Sequence, residues 1–335
     1  MGISVVGDMA LEAFQTLQAD GVGVIDVGAR GDVHPMFREV APLIDMIAIE
    51  PDAAEVQRLQ AALRRGPTYR SLLYLPCALG QADGEQVLHL CRSPGASSFY
   101  QPDREVLARF PDADRFEIVS SATVPVRSLD SLLNDQAVRL PQHLDFVKID
   151  TQGSELDILR GATRSLGSRI VGVEVEVEFT PLYRSQPVFR DVDAVLSGRG
   201  FTLFKLRRQE LVRRTFAECA HRTAGQVMFA DALYLRDPLS PVTSWHPSAH
   251  QMEALILLAM LYDLYDFALE LLSAPTLASG LAVERLSACV AGRANRLGSL
   301  SERLRVMRAN LSPGERFRRY PSRWARGDDK FYSSL

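Results

Sequence analysis

"GVGVIDVGARGD", residues 21–32, joins an apolar run, Val22-Gly23-Val24-Ile25, to Asp26 and then to a turn holding Gly28 and Gly31. The run reads as a buried strand, and the glycines allow a tight turn whose backbone amides can approach a ligand closely. In open α/β sheets that position, beyond the carboxyl end of a strand, is where ligands bind. The spacing is Gly-x-x-Gly and lacks the full dinucleotide fingerprint. Asp26 would repel a pyrophosphate and suit an ammonium group. An ordinary strand-to-helix turn is the competing reading of the motif taken alone.

Working outward, strand-like and helical runs alternate from residue 21 to 235. DMIAIEP is a strand, DAAEVQRLQAALRR a helix, and LLYLPCALG a third strand. EQVLHLC through LARF is less regular, and VSSATVPVR is a strand running into a short helix. DFVKIDTQGSELDILRGA is strand, turn and helix. IVGVEVEVE, FTLFKLRR and GQVMFADALYLR complete the strands. This alternation predicts an α/β domain with a mostly parallel sheet. A proline-punctuated segment, 236–245, reads as a linker to a helical C-terminal unit, 246–335, and residues 1–20 as an N-terminal helix.

Composition is that of an ordinary globular chain, 47% apolar and 24% charged, with a formal charge of -3. The four cysteines form no CxxC pair, and no signal-peptide layout opens the chain. Both points fit a cytoplasmic protein. ALILLAMLYDLYDFALELL, 254–272, is interrupted by Asp263, Asp266 and Glu270, each costing about 2.5–3.5 kcal/mol at bilayer depth, so a buried helix is expected and a membrane span is not. Residues 285–326 hold eleven Arg against Glu302 and Glu315. Solvation and pairing with acids is one reading of that basic tail. Capture of an anionic acceptor, for instance a phosphorylated one, is the other. No nucleic-acid motif accompanies it, and the C-terminal helices offer a surface for homo-oligomerisation.

Glu50 ends the strand after the glycine turn, about 20 residues on, where an acid typically accepts from both ribose hydroxyls. Asp26, the glycines and Glu50 thus describe a ligand with a ribose and a cationic end, such as S-adenosylmethionine. Further on, Asp150 ends a strand, Gly153 makes the turn, and Glu155 opens a helix, where it is either a dipole-favoured charge or a working carboxylate. Lys148, inside that strand, calls for a partner. Glu174, Glu176 and Glu178 alternate and share one strand face, where three like charges are not expected to be buried together. Glu178 is the best placed to reach a site, with solvated acids as the alternative. His34 is either a base or structural.

In order along the chain, DVGARG, IEP, CALG with ASSF, VRSLDSLL, VKIDTQGSELDILRGA and VEVEFTPLYRSQPVF resemble the FkbM family of S-adenosylmethionine-dependent methyltransferases. The likeness covers roughly residues 20–235. It implies a class I methyltransferase fold: a seven-stranded sheet, last strand antiparallel, with helices on both faces. It also implies methyl transfer to a hydroxyl of a sugar, glycan precursor or natural product. Carboxylate or nitrogen acceptors on the same scaffold, or a cofactor-binding module without turnover, are the alternatives. By position the resemblance assigns Asp26, Gly28, Arg30, Gly31, Glu50 and Pro51 to the cofactor. Ala78 and Leu79 fall beside the adenine, and Ser97 and Ser98 in a nearby loop. Asp150 lies near the methyl group, with Asp150, Glu155 and Glu178 as candidate bases. Arg30 replaces a common asparagine, and Gln152 stands where many members carry Glu, leaving one fewer carboxylate. A divalent metal is an alternative means of acidifying the hydroxyl, but with no dense ligand cluster none is expected.

Overall fold

The computed structural model describes residues 11–31, 35–62, 69–138, 140–217, 224–242 and 244–295. His34 and most of the arginine-rich stretch lie outside the described residues. The chain divides into two compact units, Asp20–His246 and the pair of segments Met1–Ala19 and Pro247–Leu335.

The first unit is built on a seven-stranded sheet of order β3-β2-β1-β7-β8-β10-β9. Its strands are β1 (Val22–Val27), β2 (Ile44–Ile49), β3 (Ser71–Leu75), β7 (Phe146–Ile149), β8 (Gly172–Glu178), β9 (Phe201–Leu211) and β10 (Gln226–Arg236). β3, β2, β1, β7 and β8 pair in parallel, while β10 runs antiparallel to both β8 and β9. This is the class I methyltransferase order, with the last strand reversed as expected. Chain order reverses between β1 and β7, so the switch point where such sheets bind ligands falls between the ends of these two strands.

β1 is buried at all six positions, as a central parallel strand covered on both faces must be. Ile25, Val27, Ile47, Ile49, Val147, Ile149, Val173, Val175 and Val177 join one core with Leu156, Leu159 and Leu196 from the covering helices. Gly23 of β1 has no room for a side chain, because an ideal Cβ would run into the carbonyl of His143.

The third strand differs from expectation. LLYLPCALG does not continue as one strand, since Pro76 lacks the N–H a ladder needs. β3 ends at Leu75, and Ala78–Leu79 (β4) pairs instead with Val126 and Arg127 in a second sheet. That sheet has the order β4-β6-β5, with β5 (Gly84–Cys91) antiparallel to β6 (Ile118–Arg127). Ala78, Val124 and Val126 form its small core.

Segment 236–245, expected as a linker, stays with the sheet. Arg236 is buried, donates to the carbonyls of Ile170 and Leu166, and lies 4.5 Å over the Phe201 ring and 5.3 Å over that of Trp245. In the other unit, the long apolar stretch is two helices, Ala249–Leu261 and Tyr265–Ser273, separated at Asp263, whose φ of 59° is left-handed. Among the described residues no helix is long and apolar enough to cross a membrane. The short helix Gln15–Asp20 is tied to the first of these by Glu253. That buried carboxyl accepts from Thr16 N (2.9 Å), Thr16 Oγ1 (3.1 Å) and Leu17 N (3.1 Å), satisfying helix-start amides that would otherwise lack partners.

Candidate active site

At the end of β1 the N–H groups of Gly28 and Ala29 donate to the carbonyl of Ile49, pinning the glycine turn to the end of β2 (3.0 and 3.2 Å). Gly28 has φ 81° and packs so closely on the Asp150 carbonyl that a Cβ would come well under 3.0 Å from it. Gly31, φ 92°, faces open space among the described residues, and its N–H donates to Glu55 Oε1 at 2.9 Å. Arg30 is committed to Asp52, with Nη2 2.8 Å from Oδ2. Glu50 is buried where β2 meets Pro51. Its Oε1 accepts from Asp52 N at 2.9 Å, its other oxygen carries no hydrogen bond among the described residues, and burial raises its carboxyl above the ordinary range. Glu50 N donates in turn to Leu75 O at 3.2 Å, so the end of β3, three residues before Ala78, is fixed to the same acid.

Across the switch point, Asp150 N donates to Val27 O (3.1 Å), bringing the turn after β7 against the glycine turn. Lys148 has the partners its place in a strand called for. Its Nζ lies 3.4 Å from Asp26 Oδ1 and 3.5 Å from Asp150 Oδ2. The Asp26 side chain is 1% exposed and that of Asp150 37%, so Asp150 is the member of this trio that faces solvent. Glu155 Oε1 accepts from Thr151 N (2.9 Å), Thr151 Oγ1 (3.0 Å) and Gly153 N (3.1 Å). That oxygen closes the turn. Burial raises the Glu155 carboxyl, and these hydrogen bonds oppose the rise.

The paired serines point in different directions. Ser98, buried, donates from Oγ to the Gln152 carbonyl at 2.6 Å and accepts from Tyr100 N at 3.0 Å. Ser97 Oγ accepts from Cys91 N at the end of β5 (3.1 Å).

The family model for the methyltransferase FkbM domain matches residues 26–203, a span that opens on Asp26 and includes Glu50, Asp150 and Glu178. The chain belongs to the FkbM methyltransferase family. No curated protein matches it. Among solved structures it is similar to a precorrin-6y C5,15-methyltransferase of Geobacter metallireducens (9% identity, TM-score 0.32, covering 68% of this chain and 88% of that one). It is also similar to the 1,6-didemethyltoxoflavin-N1-methyltransferase of Burkholderia thailandensis, solved with 1,6-didemethyltoxoflavin and S-adenosylhomocysteine (14% identity, TM-score 0.31, 69% and 80% covered). A third is a SAM-dependent methyltransferase of Methanosarcina mazei (9% identity, TM-score 0.30, 65% and 92% covered).

On β8 the FkbM domain corrects the alternative reading of solvated acids. Glu174 and Glu178 are buried and Glu176 is half-buried, so the three acids lie deep without all being fully buried. Three features make this tolerable. Glu174 pairs in register with Lys148, and Glu176 with Asp231, itself held by Arg207 at 2.8 Å. Gln152 Nε2 donates to Glu176 Oε2 at 2.6 Å. Finally, the acids are weakened: burial pushes the Glu176 carboxyl well up, reinforced by Asp150, Glu178, Asp231 and Glu155. Burial and then Glu155 do the same to Glu178. Gln186 Nε2 makes no hydrogen bond of normal geometry, yet lies close enough to Glu178 to oppose part of that rise. A carboxyl that holds its proton can donate as well as accept.

Sequence reasoning passed over Glu176 as the central acid of β8, over Gln152 as its amide neighbour and over Gln186 beside Glu178. Gln152 registered only as a missing carboxylate. The one sequence signal for Glu176 was its place in the Glu174-Glu176-Glu178 alternation. Nothing in the spacing marks Tyr183, whose OH donates to Ala96 O (2.8 Å) and lies 3.4 Å from Gln152 Oε1.

Proposed function

We propose that this FkbM protein transfers a methyl group from S-adenosylmethionine to a hydroxyl of a sugar, glycan precursor or other polyhydroxylated natural product. The observation carrying the reading is Asp150. It is a solvent-facing carboxyl at the switch point, flanked by the glycine turn and by the amide- and carboxyl-bearing end of β8.

The residues present fit the cofactor. Glu50 offers an oxygen without a hydrogen bond to the ribose, and the Gly28 turn leaves no side chain between the backbone and a ligand. Asp26, with Lys148 and Asp150, gives the pocket the negative field a sulfonium favours. Ala78 and Leu79, buried just past β3, supply apolar surface for the adenine. Arg30, Pro51, Ser97 and Ser98 shape the loops, since Arg30 and both serine hydroxyls are engaged within the protein. S-adenosylmethionine supplies an electrophilic methyl group.

The chain's part is to align an acceptor oxygen with that methyl and to take the hydroxyl proton. Alignment removes much of the entropic barrier, and general-base assistance contributes typically 10²–10⁴-fold. Asp150 is placed for the proton. Glu155, with one oxygen bound three times, serves the turn, and Glu178, with Gln186 beside it, borders the acceptor. Hydroxyl groups both donate and accept, as do protonated acids and amides, which is why a polyol suits this wall. No step requires a metal. The basic stretch 285–326 is proposed to draw in acceptors that carry phosphate.

Incubation with methyl-labelled S-adenosylmethionine and a panel of sugars, nucleotide sugars and polyketide alcohols tests the reading. Label that survives alkali is an ether and supports it. Alkali-labile label is an ester and moves the acceptor to a carboxylate. Failure to bind S-adenosylmethionine by calorimetry removes the proposal.

A further inference from the structure

Gln152 has a backbone φ of 60°, one of four non-glycine residues in the left-handed region among the described residues. Such a conformation is costly for a side-chain-bearing residue and persists only where its surroundings hold it. Here the holding is visible. The Gln152 carbonyl accepts from Ser98 Oγ (2.6 Å), and its Oε1 lies 3.4 Å from the Tyr183 hydroxyl, itself anchored on Ala96 O. That leaves Nε2 facing two acids on different strands: Asp150 Oδ1 at 3.1 Å and Glu176 Oε2 at 2.6 Å. The two amide hydrogens match the two acceptors, one each.

We propose that Gln152 is a positioning residue: its amide, locked as a double donor, ties Asp150 to Glu176 in one arrangement and sets how readily Glu176 gives up its proton. The methyl-transfer reading gives this its consequence, because a base must be unprotonated when the acceptor hydroxyl arrives. The opposite oxygen of Asp150 is near Lys148 Nζ at 3.5 Å. Asp150 thus has a cation beside one oxygen, while Glu176, which takes the shorter of the two amide bonds, faces Asp231, Glu178, Glu155 and Asp150, with Arg207 beyond Asp231 and the Tyr183 hydroxyl nearby. A glutamate at position 152 would have the same reach but would place a third acid between the two and supply no donor unless itself protonated.

The test uses the full-length protein and needs no acceptor. Side-chain carboxyl groups are ¹³C-labelled and titrated by NMR, with Glu176→Gln and Asp150→Asn assigning the two resonances. In the wild type, Glu176 is expected to titrate well above the ordinary carboxylate range. Gln152→Glu should raise the Glu176 midpoint by at least one pH unit, a tenfold change in proton affinity. Gln152→Met, which removes the donors without adding an acid, should raise it by less. Midpoints that coincide with wild type in both variants overturn the proposal. A wild-type measurement guards against variants that do not fold: both Gln152 side-chain amide protons should shift with pH at the Glu176 midpoint, and shifts indifferent to pH refute the bridge. Calorimetry with S-adenosylhomocysteine is the separate arm. No binding by wild type beside the expected titrations would remove the methyl-transfer reading and leave the role of Gln152 standing.

Discussion

Replacing Gly28 with alanine tests the join on which the site depends, because there the glycine turn and the Asp150 turn meet without a side chain between them. Two costs add. Alanine at φ 81° pays for the left-handed backbone, about 1–2 kcal/mol, partly offset by about 0.4–1 kcal/mol from a less flexible unfolded chain. The new methyl group would also fall well under 3.0 Å from the Asp150 carbonyl oxygen, which is backbone and cannot rotate aside. Asp150 N is bonded to Val27 O, so relief means displacing β7 from β1, an overpacking cost of about 1–3 kcal/mol. Gly31→Ala is the control. Its φ of 92° carries the same backbone term, but no described atom lies within 4 Å of the added methyl. The expected losses are about 2–4 kcal/mol for Gly28→Ala and about 0.5–1 kcal/mol for Gly31→Ala, which for a unit of this size translate into roughly 4–16 °C and 1–4 °C of Tm. Far-UV circular dichroism during heating, at matched pH and concentration, reads both. Equal shifts for the two variants would refute the close contact, since only Gly28 has one. A Gly28→Ala protein that binds S-adenosylmethionine like wild type would show that the turn's position does not govern the cofactor.

Three other outcomes follow from the same geometry. Glu50→Ala should weaken S-adenosylmethionine binding by about 10–150-fold, the worth of charge-assisted hydrogen bonds at roughly 1.5–3 kcal/mol, and calorimetry giving unchanged affinity would remove the ribose assignment. Glu176→Gln should make the protein more stable at neutral pH. Its folded-state proton affinity is raised above that of the unfolded chain, so the wild type loses stability as pH climbs from about 4.3 through the folded-state midpoint, and the variant does not. Urea midpoints at pH 4 and pH 7.5 check this: an advantage present at the lower pH and absent at the higher one reverses the sign and defeats the argument. Glu253→Leu strands the N–H groups of Thr16 and Leu17, so hydrogen exchange at those two amides should quicken by at least tenfold, and unaltered protection would mean that another group caps that helix.

What the sequence revealed, it revealed through local rules. The apolar run before Asp26, the glycines after it, the acid closing DMIAIEP and the turn in KIDTQGSE all announce themselves within a dozen residues, because strand ends and turns are short-range structures. The second sheet was not legible in this way. Ala78–Leu79 is two residues long, and its partner lies nearly fifty residues away in β6, a pairing no local pattern encodes. Ser97 and Ser98 look equivalent in a sequence and serve different strands, since adjacent residues there point to opposite sides. Gln152 was legible only as an absence, one carboxylate fewer. Its three partners, Asp150, Glu176 and Tyr183, meet only after β7 and β8 are aligned. The alternative reading of Glu174, Glu176 and Glu178 as solvated acids on an exposed face treated them as fixed charges. Acids that keep their protons, with amides and a lysine in reach, escape that rule.

The distribution of charge across the sheet separates what holds the fold from what serves the site. One residue row crosses the central strands as Asp26, Lys148 and Glu174, and the Lys148 ammonium lies 3.4 Å from Asp26. Toward the carboxyl ends the balance worsens. Asp150, Glu176, Asp231 and Glu178 gather there with Arg207 the nearby cation, itself half-exposed and so weakened by solvent. The opposite face of β8 bears Val173, Val175 and Val177 in the core, so this strand needs no acids to be stable. Valines on both faces would cost less. Acids collected where they raise one another's proton affinity are a stability cost without a structural return, and perturbed groups of this kind cluster where chemistry is done. A cationic ligand held beside Asp26 and Asp150 would relieve part of that imbalance, and a neutral ligand would not. Ionic strength separates the two: S-adenosylmethionine, carrying the sulfonium, should lose more affinity than its neutral-sulfur product S-adenosylhomocysteine as salt is raised tenfold, to roughly 500 mM, which shortens the Debye screening length about threefold. Parallel losses for the two molecules would place the carboxyl cluster out of reach of the sulfonium and leave its purpose to the acceptor alone.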